Sequence, residues 1–249
     1  MRASWIALAV GLALAGSARA QKLEAMPAPA GQPLPVYLQP GEVRYGDIMG
    51  PPPAIGSLAD RLDLEQVQEL QTAAGPGRFA QAEEDARLLF PRFSEALGAP
   101  LDSAHYPRII RLLTGAVRDA AEVSSAGKTA FARARPYQRV QLSRVCGAPT
   151  APAPVDAPPQ ERTSYPSGHS TVGWTTALVL AEIAPDHGPT LLARARDYAL
   201  SRIVCGVHYP SDVEAGRAAA TAVVTRLNAN PAFQHDLALA RAEYQGAGR

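Results

Sequence analysis

The chain has no surplus of charge of either sign: 24 Lys and Arg residues face 23 Asp and Glu residues. That balance gives no basic footprint for nucleic acid and no acidic, solvating tail. An anion bound by this protein must be held by a local cluster of cations. The common metal and nucleotide patterns are also missing: there is no His-Glu-x-x-His, no paired Cys/His spacing and no Gly-x4-Gly-Lys-Ser/Thr loop. With these patterns absent, none of them calls for a metal or cofactor. Alternating β-branched runs are scarce, which argues against a sheet. Beyond the N-terminal segment no uninterrupted apolar stretch reaches the about 20 residues a bilayer span needs, so no membrane partner is expected either.

That N-terminal segment has its own pattern. Arg2 is a positive start, Trp5 to Gly16 are apolar, and Ala18-Arg19-Ala20 is a small-x-small cleavage site before Gln21. Residues 1–20 are expected to be an export signal, which predicts a periplasmic protein, with release from the cell left open. No Cys follows the cleavage site, so a lipid anchor is not expected. Losing Arg2 and Arg19 brings the basic count from 24 to 22, and the chain stays near neutral. Cys146 and Cys205 are the two cysteines, and an oxidising compartment favours joining them over leaving two buried thiols. Closing that loop is worth about 4 kcal/mol in the chain-entropy account.

At 249 residues and 47% hydrophobic, the chain can bury one sizeable core. Residues 21–55 are rich in Pro and Gly and read as an extended arm; residues 56–249 read as one all-α domain. Ser57 caps a helix with an apolar stripe through Leu58, Leu62, Leu64, Val67 and Leu70. A second helical stretch runs from about Phe79 to Leu97, with Glu83, Glu84 and Asp85 as a solvated face. Asp102 and Ser103 are cap candidates for a helix carrying Ile109 to Val117, and a further helical segment spans about Ser124 to Ala134. Thr150 to Pro166 is a Pro-rich loop. Ser167 opens a helix that is apolar on most sides from Val172 to Ala184, the pattern of a helix at the centre of a bundle. Helices over about 191–201, 210–228 and 232–244 follow.

Three clusters carry chemistry, each at a helix end or adjoining loop. Lys128 and Arg135-Pro136 are seven residues apart, two helical turns, and both can lie on one face; Pro136 would end that helix with Arg135 in its last turn. An Arg fork suits a tetrahedral oxyanion, and Lys adds a point charge. Pro166-Ser167-Gly168-His169 opens the buried helix, whose first N–H groups and dipole form an anion site; Gly168 admits close approach and Ser167 adds a hydroxyl. In the third cluster Arg202 is another anion ligand. Asp212, four residues after His208, can accept from the imidazole Nδ1–H and leave Nε2 free as a nucleophile. His105, His187 and His235 read as surface or loop residues, and Trp174 as core.

Lys-x6-Arg-Pro, then Pro-Ser-Gly-His, then Ser-Arg-x5-His-x3-Asp resembles the signature of the type 2 phosphatidic acid phosphatase superfamily, and the chain is most similar to its class A bacterial non-specific acid phosphatases. The resemblance covers most of the chain after the export segment and is weakest over 150–162. It implies a helical bundle, shared with the vanadium haloperoxidases, and a metal-independent hydrolase of phosphate monoesters. Lys128, Arg135, Ser167, Gly168 and Arg202 would bind the phosphate. His208 would be the nucleophile, Asp212 its orienting partner and His169 the general acid and base. Nucleotides, sugar phosphates and aryl phosphates are plausible substrates, vanadate an expected inhibitor, and a homo-oligomer compatible with the family. The rival readings are a vanadium haloperoxidase, a membrane lipid phosphatase without its spans, and a non-catalytic phosphate-binding protein.

Overall fold

The computed structural model describes residues 33–147 and 162–247; the expected export signal, the start of the arm, and 148–161 with most of the Pro-rich loop lie outside the described residues. Among the described residues there are helices and no β-strand. In chain order they are α1 (Tyr45–Ile48), α2 (Leu58–Ala73), α3 (Pro76–Arg87), α4 (Ser94–Leu97), α5 (Pro107–Phe131), α6 (Pro136–Arg139), α7 (Gly168–Ile183), α8 (Gly188–Val204), α9 (Pro210–Asn228) and α10 (Pro231–Ala247).

The layout follows from α7. It has no exposed residue along its length, because it is apolar nearly all round and must be enclosed. α5, α8 and α9 pack around it, with α10 closing against α5. The arm lies on α5: the Asp119 carboxylate accepts from the Tyr37 and Leu38 N–H groups at 3.2 and 3.0 Å, and Tyr37, Leu38 and Met49 are buried in the main core. Burying a side chain of that size contributes about 1.5–3 kcal/mol. A second cluster gathers Val67, Phe79 and Leu142 against Ile203, Val204 and Tyr209. The Cys146–Cys205 disulfide is formed and belongs to this second cluster. No helix among the described residues is long and apolar enough to cross a membrane.

Several elements depart from the sequence expectation. The helical stretch from Phe79 to Leu97 is broken: α3 stops at Arg87, and a 3-10 turn over Phe90–Phe93 with Pro91 leads into α4. Pro91 cannot supply the N–H that an unbroken helix would need there. α5 is the reverse case, one helix through both expected segments, starting at Pro107 and not at the Asp102 turn. On α2, Ser57 caps as expected, accepting from the Asp60 N–H at 3.2 Å, but the buried face is different. Leu58 and Leu62 are exposed, while Asp60, Asp63, Val67 and Gln71 are buried. Those acids turn inward because Arg139 and Arg133 await them. Asp85 is corrected in the same way. It is fully buried, not part of a solvated face, and binds Arg92, Arg194 and the Ser201 hydroxyl. Trp174 is only partly buried, with the Arg217 guanidinium over its ring at 4.4 Å. His105 and His235 are exposed, as expected, and His187 is half-buried.

Candidate active site

Ser167 is the N-cap of α7; its Oγ accepts from the Ser170 N–H at 3.3 Å, and its own N–H donates to the Asp212 carbonyl at 2.9 Å. That second bond ties the start of α7 to the first turn of α9. α9 can approach so closely because of Gly216, where a Cβ would stand 2.6 Å from the Ser167 carbonyl oxygen and 2.9 Å from Ser170 Cβ.

Around this helix end the structure brings together Lys128, Arg135, Arg202, His169 and His208. Arg135 arrives by a route that the sequence did not show. α5 ends at Phe131, and Ala132 takes a left-handed conformation at φ 43°, a costly one for a residue with a Cβ. Arg135 is then an extended residue capping α6, not the last turn of a helix shared with Lys128. Its guanidinium donates to the Val207 carbonyl at 2.8 Å and to the Thr163 hydroxyl at 3.0 Å, and one nitrogen lies 3.4 Å from His208 Nε2. Lys128 Nζ donates to the Thr163 carbonyl. Arg202, from the last turn of α8, has its Nη1 3.7 Å from Cys205 Sγ, so the disulfide backs it. The Nε atoms of Arg135 and Arg202 are buried with no protein partner.

Three cations this close act on everything they touch. Burial, then Arg135 and Arg202, hold the Lys128 ammonium well below its ordinary value. Arg202 is lowered to about 10, chiefly by burial. His208 is held well below the usual imidazole range by burial, then by Arg135, Lys128 and Arg202. His169 is lowered likewise, by burial and then Arg202. Burial and the neighbouring cations thus favour the neutral form of both rings in the free protein, and the site as a whole is set for an anion.

The neutral rings are oriented by their partners. His208 Nδ1 faces Asp212 Oδ2 at 3.3 Å, and the Ser164 backbone also hydrogen-bonds the ring. Nε2 is left turned toward Arg135. His169 Nε2 donates to the Ala86 carbonyl at 3.1 Å, leaving Nδ1 as the free position, and its ring is stacked beside Tyr198 with centroids 6.2 Å apart.

Sequence reading assigned no positioning role to several residues that hold this site, Arg133 and Asp63 among them, and none to Ser164 or Ser201, which lie inside its motif clusters. Asp212 Oδ1 accepts from Arg133 at 2.6 Å, and Oδ2 accepts from the Ser164 hydroxyl at 2.6 Å and the Tyr209 N–H at 2.9 Å. Arg133 also reaches Asp63 at 2.8 Å and lies 3.9 Å over the Tyr209 ring. Ser201 is bound to Asp85 and Arg78 and so fixes the turn that carries Arg202. Among the described residues no group of three His, Cys, Asp or Glu side chains is arranged to hold a metal ion.

Comparison with known proteins gives the same span. The profile of the PAP2 superfamily matches residues 110–233, which include every site residue of the three clusters. The chain is 34% identical over 202 residues to a non-specific acid phosphatase of Providencia stuartii, covering 79% of each chain. It is 33% identical over 203 residues to an acid phosphatase of Zymomonas mobilis, covering 80% of this chain and 75% of that one. Over 55 residues, 22% of this chain, it is 46% identical to a decaprenylphosphoryl-5-phosphoribose phosphatase of Mycolicibacterium smegmatis.

Proposed function

The chain belongs to the PAP2 superfamily, and from that premise we propose that it is an exported acid phosphatase, hydrolysing phosphate monoesters through a phosphohistidine on His208. The observation that carries the mechanism is the His208 ring, held at Nδ1 by Asp212 with Nε2 turned toward the Arg135 guanidinium. A phosphoryl group held by Lys128, Arg135, Arg202, the Ser167 hydroxyl and the Gly168 N–H would have its equatorial charge met on several sides. His208 Nε2 attacks phosphorus in line as the bond to the leaving oxygen breaks. His169, protonated once the anion is bound, gives its proton to that oxygen. It then takes a proton from the water that cleaves the phosphorus–nitrogen bond and returns free phosphate.

The low proton affinity of His208 keeps the nucleophile in its reactive neutral form in acid, where a free imidazole would be charged. The activity is expected to be bell-shaped in pH and centred on the acid-to-neutral side. The disulfide supports an oxidising, periplasmic location. We further propose that nucleotides, sugar phosphates and aryl phosphates are substrates, because the site grips the phosphoryl group alone, and that vanadate inhibits.

The test is hydrolysis of p-nitrophenyl phosphate across pH in excess EDTA, for wild type and His208→Ala. Activity that survives EDTA, is blocked by vanadate and is lost in the variant is the expected result. A variant as active as wild type would remove His208 from the mechanism.

A further inference from the structure

Among the described residues the buried side-chain polar atoms without a hydrogen-bond partner are Ser124 Oγ, Arg135 Nε, Thr175 Oγ1, Arg202 Nε and Arg217 Nε. Two of the five belong to arginines assigned to the phosphate. An unpaired buried donor is costly, and proteins leave one mainly where something else will pair it. Ser124 is 2% exposed, and it precedes Lys128 by one turn of α5, so the two share a face. The two threonines of α5 satisfy their hydroxyls locally: Thr114 donates to the Ile110 carbonyl at 2.7 Å and Thr129 to the Ser125 carbonyl at 3.2 Å. Ser124 does not.

Its position says what it faces. A Cβ built on Gly168, the first residue of α7, would lie 3.5 Å from Ser124 Oγ and 3.6 Å from Lys128 Cε. The hydroxyl and the lysine stem therefore flank the start of α7, the end of a helix that favours an anion. Lys128 reaches the site from that same spot, and Ser124 lies one turn deeper.

We propose that Ser124 is a further ligand of this site, its hydroxyl donating to an oxygen of the bound phosphoryl group beside Lys128 and the Gly168 N–H. The proposal rests on the phosphatase reading given above. It also accounts for the unpaired hydroxyl, which would gain an acceptor when the anion enters.

The test compares wild type, Ser124→Ala and Ser124→Thr by the inhibition constant of orthophosphate, by kcat and KM for p-nitrophenyl phosphate, and by Tm with and without orthophosphate. Ser124→Ala removes an unpaired hydroxyl, so its ligand-free Tm should equal or exceed that of wild type. Its orthophosphate affinity should fall about tenfold, the size expected for a hydrogen bond to a charged group, and Ser124→Thr should restore it. Should the Ala variant fold poorly, Ser124→Cys keeps the volume with a weak donor and gives the same readout. An orthophosphate constant within twofold of wild type in an Ala or Cys variant overturns the proposal while leaving an active phosphatase. A wild-type protein that neither hydrolyses the ester nor is stabilised by orthophosphate overturns the phosphatase reading, and this proposal with it.

Discussion

Asp212 accepts from Arg133, Ser164 and Tyr209 at 2.6–2.9 Å, and its distance to His208, at 3.3 Å, is the longest of the set. The carboxylate is thus positioned by its other neighbours, and the imidazole is aligned on a group that three other hydrogen bonds hold. Arg133 matters most here, since it bridges Asp212 to Asp63 while itself buried. Removing one partner of such a pair leaves uncompensated charge and costs about 3–5 kcal/mol. Arg133→Met should therefore lower the Tm and cut kcat by more than tenfold. KM for p-nitrophenyl phosphate should change little, because Arg133 is committed to the carboxylates. Arg135→Lys, which alters a residue proposed to bind the phosphoryl group, should raise KM instead. Steady-state kinetics on the two variants separates positioning from binding; a KM rise in Arg133→Met equal to that in Arg135→Lys would sink the distinction. The motif Lys-x6-Arg-Pro singled out Arg135, but nothing local in sequence assigned Arg133 its role. The two arginines lie two residues apart in one basic stretch, and the acids that claim Arg133 come from α2 and α9, both remote in the chain.

Helices are where sequence patterns carried furthest, and the reason is local. The enclosed α7, its Ser167 cap and the Pro-led start of α9 are all signalled by residues within a turn of where they act. What local pattern cannot show is which face a mixed helix turns inward. On α2 the leucine stripe lost to Asp60 and Asp63 because Arg139 and Arg133, brought in by the left-handed turn at Ala132, form ion pairs there. Asp85 was misread for the same reason, as its partners Arg92, Arg194 and Ser201 come from other elements. The packing of α9 on α7 gives a prediction at this scale. Gly216→Ala would place a methyl 2.6 Å from the Ser167 carbonyl, a backbone atom with no rotamer to yield. α9 must shift outward, and with it Asp212, whose carbonyl holds the Ser167 N–H. Overpacking of this kind costs about 1–3 kcal/mol. Both a lower Tm and a fall in kcat/KM should follow. Unchanged activity in a destabilised variant would mean that the α7–α9 contact supports the fold without aligning the site.

Taken whole, the molecule holds two imidazoles and three cations in one buried site, and this arrangement makes its stability depend on pH and on anions. In the unfolded chain His169 and His208 would titrate near 6.5, whereas in the folded protein both values are depressed. Below 6.5, and above the folded values, the unfolded state therefore binds more protons. Stability grows with pH wherever the unfolded state is the more protonated, so this contribution is complete above about pH 6.5 and is lost as pH falls through that value. Each group can contribute up to about 1.4 kcal/mol per pH unit in that window. Asp60, also depressed but as a carboxylate, acts only below about pH 3.8, while Asp119, raised by burial, works against the histidine trend above that value. An enzyme adapted to acid would thus be least stable, when empty, in the range where it is expected to work. Orthophosphate should counter this, because an anion among Lys128, Arg135 and Arg202 favours protonated His169 and stabilises the folded state in proportion to its occupancy. The Tm of the ligand-free protein should fall between pH 6.5 and 5, and saturating orthophosphate should flatten that fall. Replacing both histidines by Asn should flatten it without ligand. A ligand-free Tm that stays constant across that interval would mean that the two rings are not held neutral by their surroundings, and the acid-side role of His208 would need another basis.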